Sequence, residues 1–168
     1  GQVLESRIFG PLEMTQTRMA DPEAIIDHRA SGYWVNKVGE LINRNPTETS
    51  STLGAGGLLS SVYDLAKWDE ALYGDQLLSA KSKAAMWAPT ILPNGDSTEY
   101  GFGWRIRSYK GLTSQYHGGQ VAGFVANFSR FPDQEAATIV FLNRYRVEAG
   151  RLRVAVLHTF MPSLGPIP

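Results

Sequence analysis

Apolar residues run along this chain in two rhythms that change near its middle. Leu58, Val62, Leu65, Trp68 and Leu72 follow at steps of three and four, which places one apolar stripe on a helix. Ser61 with Asp64 gives that helix a capping-box-like start, since hydroxyl and carboxylate oxygens can accept from its free N–H groups. Gly74 is the expected left-handed stop. A second, shorter helix is expected from Ser79 to Trp87, ending before Pro89. From Tyr100 the period becomes two: Tyr100, Phe102, Trp104 and Ile106 alternate with Gly101, Gly103, Arg105 and Arg107, the pattern of a half-buried strand. Lys110-Gly111 then turns the chain into a short strand around Ser114 to His117. Phe124 to Phe131 and Ala136 to Asn143 flank Pro132-Asp133-Gln134 and form a hairpin. The second of these is apolar on both faces, as expected of a central strand covered on both sides. Val147 to Phe160 closes the chain as a helix, weakened at Gly150 by roughly 1 kcal/mol relative to alanine.

The N-terminal third is less regular. Val3, Leu4 and Ile8 fit the last turns of a helix that Pro11 stops. From there to about Leu53 the sequence is polar and aperiodic, as in a functional loop or a region that packs on something else. The order of helices, then a meander of strands, then a helix reads as α+β. The expected fold is an antiparallel sheet of three to four strands with helices packed on it. Residues 1–168 form one domain: 1–53 mostly irregular, 54–90 helical, 99–143 antiparallel sheet and 146–161 a C-terminal helix.

Composition mostly removes options. The 168 residues suffice for one core and not for two comfortable ones. Sixteen basic and sixteen acidic side chains leave no net charge, so there is no electrostatic footprint for nucleic acid or an anionic membrane. Arg144, Arg146, Arg151 and Arg153 read as a solvated helix face. Cysteine is absent, which excludes disulfides and thiol chemistry and leaves the compartment open. No apolar run approaches the ~18 residues of a membrane helix. His28, His117 and His158 lie far apart with no second ligand at helix or hairpin spacing, so no zinc or other metal site is expected. Gly54-Ala55-Gly56-Gly57 lacks the Walker lysine and the dinucleotide fingerprint, and reads as a tight lead into a helix. No cofactor is expected.

His117 is set apart by its neighbours. Gly118 and Gly119 follow it, then Gln120 and Gly123. Glycines beside a strand let a ligand or another backbone come close, and an imidazole there can bind a substrate carboxylate or assist proton transfer. A strand-end turn that happens to contain a histidine accounts for the same residues equally well.

Five segments, in order along nearly the whole chain, resemble the C-terminal half of the class C β-lactamase-like family, which includes DD-carboxypeptidases, esterases and D-aminopeptidases. They are Arg7-Ile8-Phe9-Gly10-Pro11-Leu12-Glu13-Met14-Thr15, with Glu13 where the family has glycine; Ala30-Ser31-Gly32-Tyr33; Gly54 to Ser61 continuing through Asp64-Leu65-Ala66-Lys67-Trp68; Tyr100-Gly101-Phe102-Gly103-Trp104; and His117-Gly118-Gly119 with Gly123-Phe124 and Phe131-Pro132-Asp133. The resemblance implies the C-terminal portion of the β-lactamase/transpeptidase-like fold. It implies that His117 stands first in the third family motif and helps bind substrate and organise the proton network. Gly118 and Gly119 would keep that strand open to the acyl group, and Gln120 would supply a backbone N–H to the oxyanion hole.

Two family motifs are not found. The residues three before Lys37, Lys67, Lys81, Lys83 and Lys110 are Trp34, Asp64, Leu78, Ala80 and Arg107, so there is no Ser-x-x-Lys. No asparagine has tyrosine or serine two places before it. In the family both motifs come earlier in the chain, which marks this sequence as a C-terminal fragment of a serine hydrolase, inactive alone. The whole protein would act on a β-lactam, D-peptide or ester through an acyl-enzyme. A non-catalytic module that self-associates or binds a partner through exposed apolar faces is the alternative. An independent hydrolase using Ser61 with His117 is a third reading, without a Gly-x-Ser-x-Gly elbow to support it. By resemblance the location is periplasmic or extracellular, and no export signal lies in this chain.

Overall fold

The computed structural model, which describes residues 1–44 and 53–167, stacks helices on both faces of an antiparallel sheet. At the N-terminus α1 (Gln2–Leu4) continues as a π-helical turn over Glu5–Phe9 and ends at Gly10, whose N–H still bonds Glu5 O at 2.8 Å. β1 (Arg18–Met19) follows, then β2 (Gly32–Val35) and β3 (Leu41–Arg44), which pair as an antiparallel hairpin. That hairpin lies inside the stretch expected to be irregular. Every residue of β3 is exposed, so no alternation of apolar and polar positions marks it. Its turn is built instead by the Asn36 side chain, whose Oδ1 accepts from the N–H groups of Val38 (3.0 Å) and Glu40 (2.9 Å).

Next come α2 (Leu53–Gly56), β4 (Leu58–Leu59) and α3 (Val62–Ala71). The Ser61 hydroxyl caps α3 as expected, accepting from Asp64 N–H at 3.2 Å. The rest of the expected helix differs. Leu58 pairs with Met19 in the β1–β4 ladder and is no part of the helical stripe. The Asp64 carboxylate turns away from the cap and accepts from Gln16 N–H and the Thr17 hydroxyl, both at 2.8 Å. Gly74 does not take up the left-handed conformation. The helix closes at Leu72 in right-handed geometry, and the Gly74 carbonyl instead accepts from Lys83 Nζ at 2.7 Å. α4 (Ala80–Met86) is capped by Ser79, which accepts from Ser82 N–H at 3.2 Å.

The main sheet contains β5 (Arg105–Tyr109), β6 (Leu112–Val121), β7 (Phe124–Phe131) and β8 (Ala136–Leu142), in that spatial order and all antiparallel. α5 (Ala149–Phe160) packs on β7 and β8, and α3 approaches β8. Three expectations are corrected here. Tyr100 to Trp104 is not strand: Gly101 N–H bonds Trp104 O and Phe102 N–H bonds Met86 O. This loop needs glycine at 101, because a Cβ there would sit 2.3 Å from the Met86 carbonyl. β6 does not stop at His117 but runs on to Val121. Finally, among the described residues β8 stands at the edge of the sheet, with β7 as its paired strand. An apolar run reports helix-covered faces and says nothing about whether a strand edge is paired.

The N-terminal segment is held to α3 by a core of Phe9, Leu12, Met14 and Ala71, with Leu4, Ile8, Leu65, Trp68 and Leu77 packed against it. Each such large apolar side chain contributes roughly 1.5–3 kcal/mol when fully buried. The hairpin tip after β6 is fixed differently. Gly123, at φ +82°, lies backbone to backbone against Gly32, and a Cβ on Gly123 would come within 2.7 Å of Gly32 Cα.

Candidate active site

The site begins with a mismatch of strand lengths. β5 stops opposite Tyr116, through the Arg105–Tyr116 pair, whereas β6 continues beside β7 to the Val121–Phe124 pair. Tyr109 and Leu112 close a two-residue turn at Lys110-Gly111 and therefore hydrogen-bond each other. Alternation along an antiparallel ladder then sends the N–H and C=O groups of Leu112, Ser114 and Tyr116 toward β5. By the same alternation Gly118 and Gln120 send theirs to that side, where β5 has already ended. The backbone of His117 and Gly119 faces β7. Among the described residues, the strand thus presents unpaired N–H groups on one edge while its other edge is locked.

The structure brings the four candidate residues onto this overhang and separates their faces. His117 and Gly119 share one face of β6, and Gly118 lies on the other. A Cβ on Gly118 would touch Asn127 Nδ2 at 3.4 Å, whereas one on Gly119 would meet nothing within 4 Å. The open side of the strand is therefore at Gly119. His117 is exposed, and its Nε2 lies 2.8 Å from the Tyr100 hydroxyl. The two rings meet edge to face at 5.8 Å. Sequence reading missed Tyr100 as a partner, because it appeared there as one apolar position of a strand 17 residues away. No local pattern announces such a contact.

Gly119, Gln120 and Val121 line one side of a cleft of about 1210 Å³. Ser60, Ser61 and Leu58 line another part of it, and Phe141 and Leu142 of β8 a third. The volume exceeds the roughly 300–1,000 Å³ of ordinary small-ligand pockets. The serines that reach the cleft just before α3 are already engaged. Ser60 Oγ is 2.8 Å from Thr17 Oγ1, and Ser61 Oγ is the helix cap. His28 also lines the cleft, while His158 bonds Tyr109 through Nε2 (2.8 Å) and the Gly165 carbonyl through Nδ1 (2.7 Å). Among the described residues no three His, Cys, Asp or Glu side chains converge as metal ligands, and no helix is long and apolar enough to cross a membrane.

The perturbed titratable groups lie deeper in the sheet. Burial pushes the Asp69 carboxyl above its ordinary value of 3.8, against the hydrogen bond and charge of Arg130. Burial likewise lowers Arg153, against the opposing effects of Tyr116 and Tyr109. Arg130 passes from β7 to α3, donating to Asp69 and to Gln115 Oε1 (3.2 Å), with its guanidinium 4.6 Å over the Tyr73 ring. These groups hold the helices to the sheet and stand apart from the overhang.

A family model described as Beta-lactamase matches residues 1–159. The chain is 31% identical over 155 residues to a penicillin-binding protein of Bacillus subtilis (strain 168), covering 84% of this chain and 34% of that protein. It is 29% identical over 156 residues to an unguisins hydrolase of Aspergillus campestris, covering 85% and 29%. The octameric penicillin-binding protein homologue from Pyrococcus abyssi superposes with a TM-score of 0.81 at 22% identity, over 96% of this chain and 37% of that one. The D-amino acid amidase from Ochrobactrum anthropi, in complex with L-phenylalanine amide, gives a TM-score of 0.70 at 26% identity, over 85% and 43%. The chain spans about a third of the length of these curated relatives.

Proposed function

The chain belongs to the beta-lactamase family, and from that premise we propose that it supplies one wall of a serine-hydrolase site whose nucleophile is carried by a part of the protein outside these 168 residues. The overhang of β6 carries this reading. A tetrahedral intermediate needs N–H donors aimed at the position of its oxyanion. Gln120 offers one from a backbone whose partner edge is locked to β7, on the side that β5 leaves unpaired. Gly118 and Gly119 keep the strand open to the acyl group, with free space beside Gly119. His117, on the Gly119 face, binds substrate and takes part in the proton network. The cleft beside Gly119 and Gln120 is large enough to receive a protein segment as well as a substrate, which fits a nucleophile delivered from elsewhere.

The reaction is then acyl transfer. A serine attacks the carbonyl of a β-lactam, D-peptide or ester, and the oxyanion is held in part by Gln120 N–H. Collapse of the intermediate breaks the C–N or C–O bond, and the amine or alcohol takes up a proton and leaves (in a β-lactam it stays tethered by the opened ring). Water then cleaves the acyl-enzyme. The named relatives, a penicillin-binding protein, an unguisins hydrolase and a D-amino acid amidase, suit that substrate range without choosing within it. The 168-residue chain alone should not turn over nitrocefin or p-nitrophenyl esters, while the longer protein that contains it should. Turnover by the isolated chain, abolished by a serine-directed inhibitor, would refute the assignment.

A second reading is favoured by one observation, the apolar side chains left exposed around the cleft. Ile25 is 97% exposed, Leu58 47% and Phe141 37%. A module that associates through this face, with itself or with a partner, would cover them. Light scattering on the isolated chain separates the two readings, because a strict monomer that stays in solution counts against association.

A further inference from the structure

We propose that Tyr100 is a positioning residue for His117: it clamps the imidazole at Nε2 and makes Nδ1–H the group that meets substrate. This inference rests on the functional reading above and goes beyond it in naming the nitrogen and the residue that selects it.

Tyr100 is a fixed post. Its carbonyl accepts from Thr90 N–H at 2.9 Å and from the Thr98 hydroxyl at 3.1 Å. Its backbone forms a bridge with Arg105, and the Arg105 guanidinium lies 5.7 Å over its ring. The next residue, Gly101, is pressed against the Met86 carbonyl. On the other side, His117 is tied by its backbone to Phe128 of β7. Two rigid supports therefore meet at the 2.8 Å contact between phenol and Nε2.

That contact has a consequence for the proton. A phenol is a more acidic donor than a neutral imidazole N–H, so with neutral histidine the Tyr100 O–H donates to Nε2 and the ring proton resides on Nδ1. In the imidazolium both nitrogens carry protons, and Nε2–H donates to the phenol oxygen. In either state Nδ1 bears a hydrogen. Through Nδ1, His117 is thus a permanent donor, suited to a carboxylate or carbonyl of the substrate and not to accepting a proton. Among the described residues no other side chain bonds the ring to select that tautomer.

The test is ¹⁵N spectroscopy of the histidine rings in the wild-type chain and in Tyr100→Phe, with His117→Gln assigning the signals apart from His28 and His158. Phenylalanine keeps the ring and the Arg105 contact and removes only the hydroxyl. Above the titration range, wild-type His117 should show a protonated Nδ1 and an acceptor Nε2, and Tyr100→Phe should shift the ring toward the Nε2–H form. A wild-type ring already protonated at Nε2, or a spectrum unchanged by the substitution, overturns the proposal. In the active full-length protein, Tyr100→Phe should raise KM for a carboxylate-bearing substrate about tenfold, as for loss of one oriented charge-assisted hydrogen bond, with a smaller change in kcat. Unchanged turnover in His117→Ala would sink the functional reading instead, and the tautomer measurement would still decide the role of Tyr100.

Discussion

The two ends of the β6–β7 hairpin are built on opposite plans. At one end Gln115 pairs with Arg130, and Arg130, only 1% exposed, is gripped by Asp69, Gln115, Tyr73 and Trp87. At the other end His117 to Gln120 are all exposed, Tyr100 is the side chain bonded to His117, and Gly119 faces empty space. One strand thus carries a saturated anchor and an open wall two residues apart. The anchor sets the strand's place against α3, and the open end can then offer backbone donors without needing side chains to fix it. Sites built on such rigid elements hold their geometry more closely than sites on loops.

The comparison can be broken first at the anchor. Asp69→Ala leaves the Arg130 charge buried and unpaired, which should cost about 3–5 kcal/mol of stability in urea denaturation. A loss under 1 kcal/mol would mean that the anchor is not structural. At the open end the expected loss is in rate and not in stability. Gln120→Pro removes one N–H on the side that makes no ladder bond, where proline is tolerated. In the longer, active protein it should lower kcat by roughly 10²–10³, the usual effect of losing one oxyanion donor, with Gln120→Ala near wild type. Equal kinetic effects from both would place the contribution in the side chain and contradict the backbone role.

Titration probes the anchor more gently. Because the folded state raises the Asp69 pKa above 3.8, the native chain takes up this proton more readily than the unfolded one. The stability from this group is therefore present below about pH 3.8 and lost as pH rises through the higher folded value. The stability of wild type relative to Asp69→Asn should fall across that window, and a rise would show that Arg130 outweighs burial. The smallest effect belongs to Ser61→Ala, which removes a helix cap at a cost of about 1 kcal/mol. Activity of the longer protein should survive it, and its loss would revive Ser61 as a nucleophile.

These differences also mark what was legible in the sequence. The Ser61 cap of α3 and the β7–β8 hairpin follow from periodicity and short-range chemistry. The run of β6 through Gly118 and Gly119 to Val121 does not, because two glycines after His117 read equally well as the end of a strand. The order of motifs pointed to the family. Contacts set by distant partners were not readable. Asp64 looks like a cap partner until Thr17, 47 residues away, claims its carboxylate. Gly74 looks like a helix stop until Lys83 takes its carbonyl. The apolar β8 reads as a central strand because its faces are covered, although among the described residues it stands at the edge of the sheet. The β2–β3 hairpin, held by an asparagine side chain and exposed along β3, left no periodic trace.

If this chain is a wall of a hydrolase site, the nucleophile comes from another part of the protein. The most direct measurement is covalent labelling of the protein as expressed from its gene with a fluorescent penicillin or a fluorophosphonate, followed by mass mapping of the adduct. The adduct should map to a serine outside residues 1–168. A label on a serine within them, Ser60 or Ser61 above all, would contradict it.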